Sequence, residues 1–238
     1  MRLILLLSLT LAGATAQAQQ ANIEQVGAAG QSNLNALGTG APAPIYMGRT
    51  DGVEGSPYAD KRWLQADLTM SNKVPLAPVP LKYDVLNQRL IMRKQGSTTD
   101  SIQLDDKLLL SFVLQEPATA TSPARSRVFR RFTDAPALQH RNHFVEVLHD
   151  GKYTLLKQHI KAVRKSPVHT GYGVDAQTAQ VEDKSLYFVR RPNAELVPVK
   201  LTMKSITAAA PSLAPALKAT KPTTEAEWIT QLTAADPK

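Results

Sequence analysis

Phe144-Val145-Glu146-Val147-Leu148-His149-Asp150-Gly151-Lys152-Tyr153-Thr154-Leu155-Leu156-Lys157 reads as two strand-forming runs joined by Asp-Gly. Asp-Gly between such runs favours a two-residue type I′ turn, because both central positions take φ > 0 and the turn's twist matches that of the strands. The register this implies sets Leu148 opposite Tyr153, Glu146 opposite Leu155, Val147 opposite Thr154 and Val145 opposite Leu156. Phe144, Leu148, Tyr153 and Leu155 then share one face, and Val145, Val147 and Leu156 share the other. Apolar residues on both faces require a hairpin covered on both sides, or one within a curled sheet. Glu146, diagonal to Lys157, reads as one half of a weak surface pair.

Upstream, strand signals recur at short intervals. Arg62 to Met70 follows a turn at Gly55-Ser56-Pro57-Tyr58. Val79 to Asp84 and Arg89 to Lys94 flank a turn around Leu86-Asn87-Gln88, and Gly96 to Asp100 supplies turn chemistry before Ser101 to Leu104 and Leu108 to Gln115. A break rich in Ala, Thr, Ser and Pro at 117–126 precedes Val128 to Phe132. Downstream, Ser185 to Arg190 and Leu196 to Val199 form a last hairpin around Pro192-Asn193, with Pro198 at an edge because it cannot donate to a ladder. Thr224-Glu225-Ala226-Glu227 has the form of a capping box, Trp228, Ile229 and Leu232 supply an apolar stripe, and a shorter helix is expected within Ser212 to Ala219. The expected fold class is α+β: mainly an antiparallel β meander, as a sheet or partial barrel, followed by short C-terminal helices.

The N-terminus reads as an export signal. Arg2 precedes an apolar run from Leu3 to Leu11, and Ala16-Gln17-Ala18 has the small-x-small form that places a cut before Gln19. Residues 19–54 are rich in Ala, Gly, Gln, Asn and Pro and read as a flexible leader, since they offer no apolar face to offset ordering entropy. The expected organisation is thus signal peptide 1–18, leader 19–54, β-rich domain 55–200 and helical segment 201–238. No stretch after the signal is apolar for long enough to span a bilayer as a helix, and the strands are short and poor in aromatics for a membrane barrel. With Cys 0, disulfides, thiolate metal sites and cysteine nucleophiles are excluded. The expected setting is the periplasm or the medium.

Lys+Arg 28 against Asp+Glu 20 makes the chain basic, which draws it weakly towards anionic envelope polymers. Arg125, Arg127, Arg130 and Arg131 form one cluster, and Lys157, Lys161, Arg164 and Lys165 a second; these eight are the candidate anion contacts. Adjacent Arg130 and Arg131 point to opposite faces of a strand, which splits the first cluster, and the second shares a face only if its segment is helical. At 5% aromatic, the chain poorly supplies a stacking platform, so no specific nucleic-acid partner is expected. His140 and His143 have the spacing of metal ligands on a helix, but they fall in a loop entering a strand, and no metal is expected there. His149 reads as solvated beside the turn, and Asp105-Asp106 as a turn before Leu108. Tyr172 between Gly171 and Gly173 reads as a loop anchor. G-x-S-x-G, H-E-x-x-H, the phosphate-cradling Gly-rich loop and S-x-x-K are all missing, so neither an enzyme nor a cofactor is expected.

Gly55-Ser56-Pro57-Tyr58 leading to Trp63, Val79 to Asp84, Phe129-Arg130-Arg131-Phe132 and the Asp-Gly-Lys hairpin together resemble a group of small exported proteins of Gram-negative bacteria with no assigned activity. The resemblance covers residues 55–235 and rests on turns and strands. It implies the domain boundaries and carries no site residues. The expected function is an exported, non-enzymatic binding or envelope-associated domain. Two alternatives remain: a binder of anionic polysaccharide or lipopolysaccharide, and an enzyme whose triad assembles from distant residues.

Overall fold

The computed structural model describes residues 53–72, 76–94, 100–120, 122–165 and 179–237. The signal, nearly all of the leader, the 95–99 turn, Tyr172 and His169 lie outside them. Among the described residues there are thirteen strands: β1 (Val53–Glu54), β2 (Leu64–Met70), β3 (Val79–Asp84), β4 (Arg89–Arg93), β5 (Ser101–Gln103), β6 (Leu109–Glu116), β7 (Arg125–Arg131), β8 (Phe144–Asp150), β9 (Thr154–Gln158), β10 (Lys161–Lys165), β11 (Ala179–Asp183), β12 (Leu186–Arg190) and β13 (Leu196–Val199). Three helices follow: α1 (Met203–Ala209), α2 (Ala214–Thr220) and α3 (Glu225–Ala235).

Ten strands form one antiparallel sheet in the order β13-β12-β9-β8-β7-β6-β2-β3-β4-β5. Neighbours are consecutive in sequence except at two places. After β5 the chain returns to lay β6 beside β2, and between β9 and β12 it leaves to form β10 and β11, which with β1 make a separate three-stranded sheet. The alternation of β2 is strict, with Leu64, Ala66, Leu68 and Met70 buried and the residues between them exposed. The sheet is open, since β13 and β5 remain as edges, but it is strongly curled. Four strand spacings in a flat sheet would separate β3 from β8 by about 19 Å. The rings of Tyr83 on β3 and Phe144 on β8 instead meet at 6.1 Å, with Phe112 and Phe129 packed among them. The fold is therefore the expected antiparallel β-rich class with short C-terminal helices.

The curl encloses one apolar cluster, including Leu81, Tyr83, Leu90, Phe112, Phe129 and Phe144. Further along the same face, Leu148, Leu155 and Val189 meet Ile206, Leu217, Trp228 and Leu232 from the helices. Val145, Leu156 and Phe188 pack with Phe132 on the outer face. Both faces of the β8–β9 hairpin are thus covered, as the sequence pattern requires. The capping box of α3 is present, with Thr224 and Glu227 satisfying each other's backbone N–H groups.

The hairpin register differs from the expected one. Glu146 pairs with Lys157, Val147 with Leu156, His149 with Leu155 and Asp150 with Thr154, with a bulge at Leu148. The connection is Gly151-Lys152-Tyr153 rather than a two-residue turn, and Gly151 does not take positive φ. The physical reason is a tertiary contact. Asp236, just past α3, accepts the Tyr153 N–H at 2.7 Å and stands 3.3 Å from Nε2 of His149. Both Asp236 and His149 are buried, so His149 is not the solvated residue its place beside a turn suggested. Glu146 is likewise no surface residue, at 2% exposure. The segment after β9 is strand, so Lys157, Lys161 and Arg164 do not share a helix face.

Candidate functional site

Strand alternation builds the most unusual arrangement in the molecule. On β7, Arg127, Phe129 and Arg131 share a face, and in the β7–β8 register Phe129 stands opposite Glu146. Arg127 donates from Nε and Nη2 to the two carboxylate oxygens of Glu146, both at 2.8 Å. His159, just past β9, lies with Nε2 at 2.6 Å from Oε2 of the same carboxylate. All three residues are buried. Burial by itself would raise the Glu146 carboxyl, but the hydrogen bonds from Arg127 and His159 outweigh it and hold the group well below the usual carboxylate range. For Arg127 burial works against the charge, and the bonds to Glu146 overcome it and raise the group. The network separates the two apolar clusters of the inner face.

From this centre, charges run outward to the surface. Arg127 lies 3.8 Å from Asp60, and Arg125 lies 3.8 Å from Glu146 and 3.4 Å from Glu116. Arg62 closes the chain by pairing with both Asp60 and Glu116. Of these residues Arg62, Glu116 and Arg125 line an open groove of about 510 Å3 on the outer face. Gln65, Gln115 and Ser126 stand side by side across β2, β6 and β7 as part of its lining. Ser126 Oγ donates to Gln115 Oε1, and Gln115 Nε2 donates to Asp67, both at 2.7 Å. Trp63, immediately before β2, adds an aromatic wall. A second hollow of about 450 Å3, lined by Val128, Arg130, Val147 and Asp236 among others, lies beside the end of α3.

The eight cations expected as anion contacts are dispersed, and most are committed to carboxylates. Arg125 and Arg127 meet at Glu146. Arg130, on the opposite face, lies 3.6 Å from Asp134, while Arg131 pairs with Asp106 at 3.2 Å and stacks over Phe144. Lys157 reaches Glu225 at 2.7 Å, Lys161 lies 3.6 Å from Asp183, and Arg164 pairs with Glu182 at 3.1 Å. Lys165 ends β10 opposite Ala179. Asp105 caps a short 3-10 turn at Asp106–Leu108, as a turn before Leu108 requires.

Lys157 and Tyr187 both donate to Glu225, which ties α3 to β9 and β12. Burial first, and then that bond to Glu225, raise the Tyr187 phenol. His140 ends a 3-10 turn and its ring lies 5.1 Å from that of His143, so the pair does come together. Among the described residues, no three His, Asp or Glu side chains are placed to hold a metal, and no helix is long and apolar enough to cross a membrane.

None of Trp63, Gln65, Gln115, Ser126, Glu146 and His159 is a candidate site residue from the sequence, where Trp63 and Glu146 read only as structural positions. The first four are ordinary strand and turn positions whose proximity depends on the β2–β6–β7 register. The buried pair required knowing which arginine faces which carboxylate. As chemistry, the Glu146 centre is a clamp. Both its oxygens already accept hydrogen bonds, and a carboxyl held so strongly ionised is a weak base. The groove is the part open to a ligand. No protein-family model, no curated protein and no solved structure matches the chain.

Proposed function

We propose that the chain is an exported, non-enzymatic binding module of the cell envelope, and that its ligand is a saccharide chain lying in the Trp63 groove. The observation carrying this reading is the juxtaposition of an aromatic wall with a cross-strand row of amides and a hydroxyl, beside the Arg62–Glu116–Arg125 pairs. An aromatic ring suits the C–H face of a sugar, and planar polar groups suit its hydroxyls. The charge chain that runs from buried Glu146 out to Arg62 holds the groove's arginines before a ligand arrives, which lowers the ordering cost of binding. Export rests on the sequence of Met1 to Ala18 and on the resemblance to exported Gram-negative proteins.

Two measurements test the reading. Intact mass of envelope-fraction protein should place the N-terminus near Gln19; material retaining Met1 would remove the export half. Calorimetric titration with envelope oligosaccharides should give binding that Trp63→Ala and Gln115→Ala each weaken, with unfolding curves unchanged. Binding indifferent to both substitutions would remove the groove from the reading.

A further inference from the structure

The outer face beside the groove carries two cations with no ion-pair partner among the described residues. Lys82 lies on β3 opposite Ile91 on β4, and Arg93 follows two residues later on the same face. The β2–β3 register continues to Trp63, whose ring meets Arg93 at 4.7 Å and Lys82 at 5.0 Å; Lys82 also stands 4.7 Å from the ring of Tyr58. Neither cation has a carboxylate within ion-pair distance among the described residues. Arg93 is moreover the one described arginine whose side chain makes no hydrogen bond or ion pair to a described residue, and its buried Nε has no acceptor. Every other described arginine has a carboxylate partner or, for Arg141, a carbonyl.

Two half-buried, like-charged groups held on one indole repel each other. Burial, then the charge of Arg93, lower the Lys82 ammonium from its ordinary value, and Asp60 offsets this only in part. Asp60 is itself bound to Arg62 at 2.8 Å. The arrangement becomes favourable once an oxyanion sits between the two cations, because charge-assisted bonds to Arg are strong and a guanidinium fork fits a carboxylate. Trp63 belongs at once to this pair and to the groove wall.

We propose that Lys82 and Arg93, stacked on Trp63, seat a carboxylate carried by the saccharide in the groove, so that the ligand is a uronic-acid polymer. The inference rests on the saccharide reading above and adds the charge of the ligand to it.

The test titrates the full mature chain with oligogalacturonate, its methyl ester and phosphatidylglycerol vesicles, following heat and tryptophan emission. The acid should bind at least about tenfold more tightly than the neutral ester, and raised salt should narrow the gap. The doubly substituted K82Q/R93Q chain should lose that preference, K82R/R93K should keep it, and R164Q, on the smaller sheet, should leave it unchanged. Equal binding of acid and ester, weakened by Trp63→Ala, overturns the carboxylate seat and leaves the saccharide groove standing. A preference for the acid that survives K82Q/R93Q places the seat elsewhere and likewise overturns it. Binding to vesicles but to neither oligosaccharide overturns both readings. Should K82Q/R93Q fail to fold, the single substitutions K82Q and R93Q carry the same comparison, and an acid preference that neither reduces overturns the seat.

Discussion

A Cβ on Gly151 would stand 2.7 Å from the Asp236 carboxylate and 2.8 Å from Nε2 of His149, and closer still to the Asp236 carbonyl. Glycine is needed there for space rather than for a left-handed backbone. Gly151→Ala should therefore cost about 1–3 kcal/mol by overpacking, while exposed Lys152→Ala stays within about 0.5 kcal/mol. Urea unfolding of the two variants checks this, and equal midpoints would show that the contact yields freely. At Glu146 the expected effect is larger, because Glu146→Gln leaves buried Arg127 with only the more distant Asp60, at 3.8 Å, at a cost of up to about 3–5 kcal/mol. The sign with pH follows from a carboxyl depressed in the folded state. Its stabilisation is complete above the unfolded value of 4.5 and drains as pH falls below that. Stability measured from pH 7 down to 3 should thus fall less steeply in Glu146→Gln than in the parent chain. Parallel acid limbs would contradict this.

Among the elements, α3 holds the helical segment to the sheet. Trp228 is wholly buried and Leu232 nearly so, against Leu148, Leu155 and Val189. Trp228→Ala should cost about 3–5 kcal/mol, and Leu155→Ala on the facing strand about 2–5 kcal/mol. Beyond the helix, Asp236→Ala should speed hydrogen exchange of the Tyr153 amide while leaving strands β3 and β4 protected, since only the turn loses its acceptor. Elements whose cause is local were legible in the sequence. The alternation of Val79 to Asp84 gave β3 to the residue, and Thr224 with Glu227 gave the start of α3. The β8–β9 turn was misread because its decisive partner lies 83 positions away in Asp236. β10 was missed as a strand because its Lys and Arg residues lack an apolar alternation, and its pairing with β11 supplies what the pattern does not.

For the molecule as a whole, the curl brings side chains of distant strands into contact, and the candidate site depends on it. Tyr83 meets Phe144 across the intervening β2, β6 and β7, and the Glu146 centre sits where the curled half gives way to the helix-covered half. Charge clusters in the sequence pointed to Arg125 and Arg127 but gave no means of knowing that they face Glu146 inside the fold. Lys82 and Arg93, separated by eleven positions, formed no cluster in the linear chain; only the β3–β4 register makes them neighbours. If the buried charges serve to fix a unique arrangement more than to add stability, replacing all three together should be far milder than removing one. Arg127→Met, Glu146→Leu and His159→Phe in one chain should recover most of the stability lost in Glu146→Gln. An unfolding midpoint below that of Glu146→Gln would refute this and assign the network a direct stabilising role.

The clasp of Asp236 on the 150–153 turn also sets an order of events. In a chain made or threaded N-terminus first, β8 and β9 can pair early, yet the turn between them has no acceptor for the Tyr153 amide until residue 236 has emerged. Completion of the hairpin therefore waits on a residue 83 positions beyond the turn it fastens. A chain cut short after Ala235 keeps both strands and still leaves this corner unfastened, ready for a protease to find.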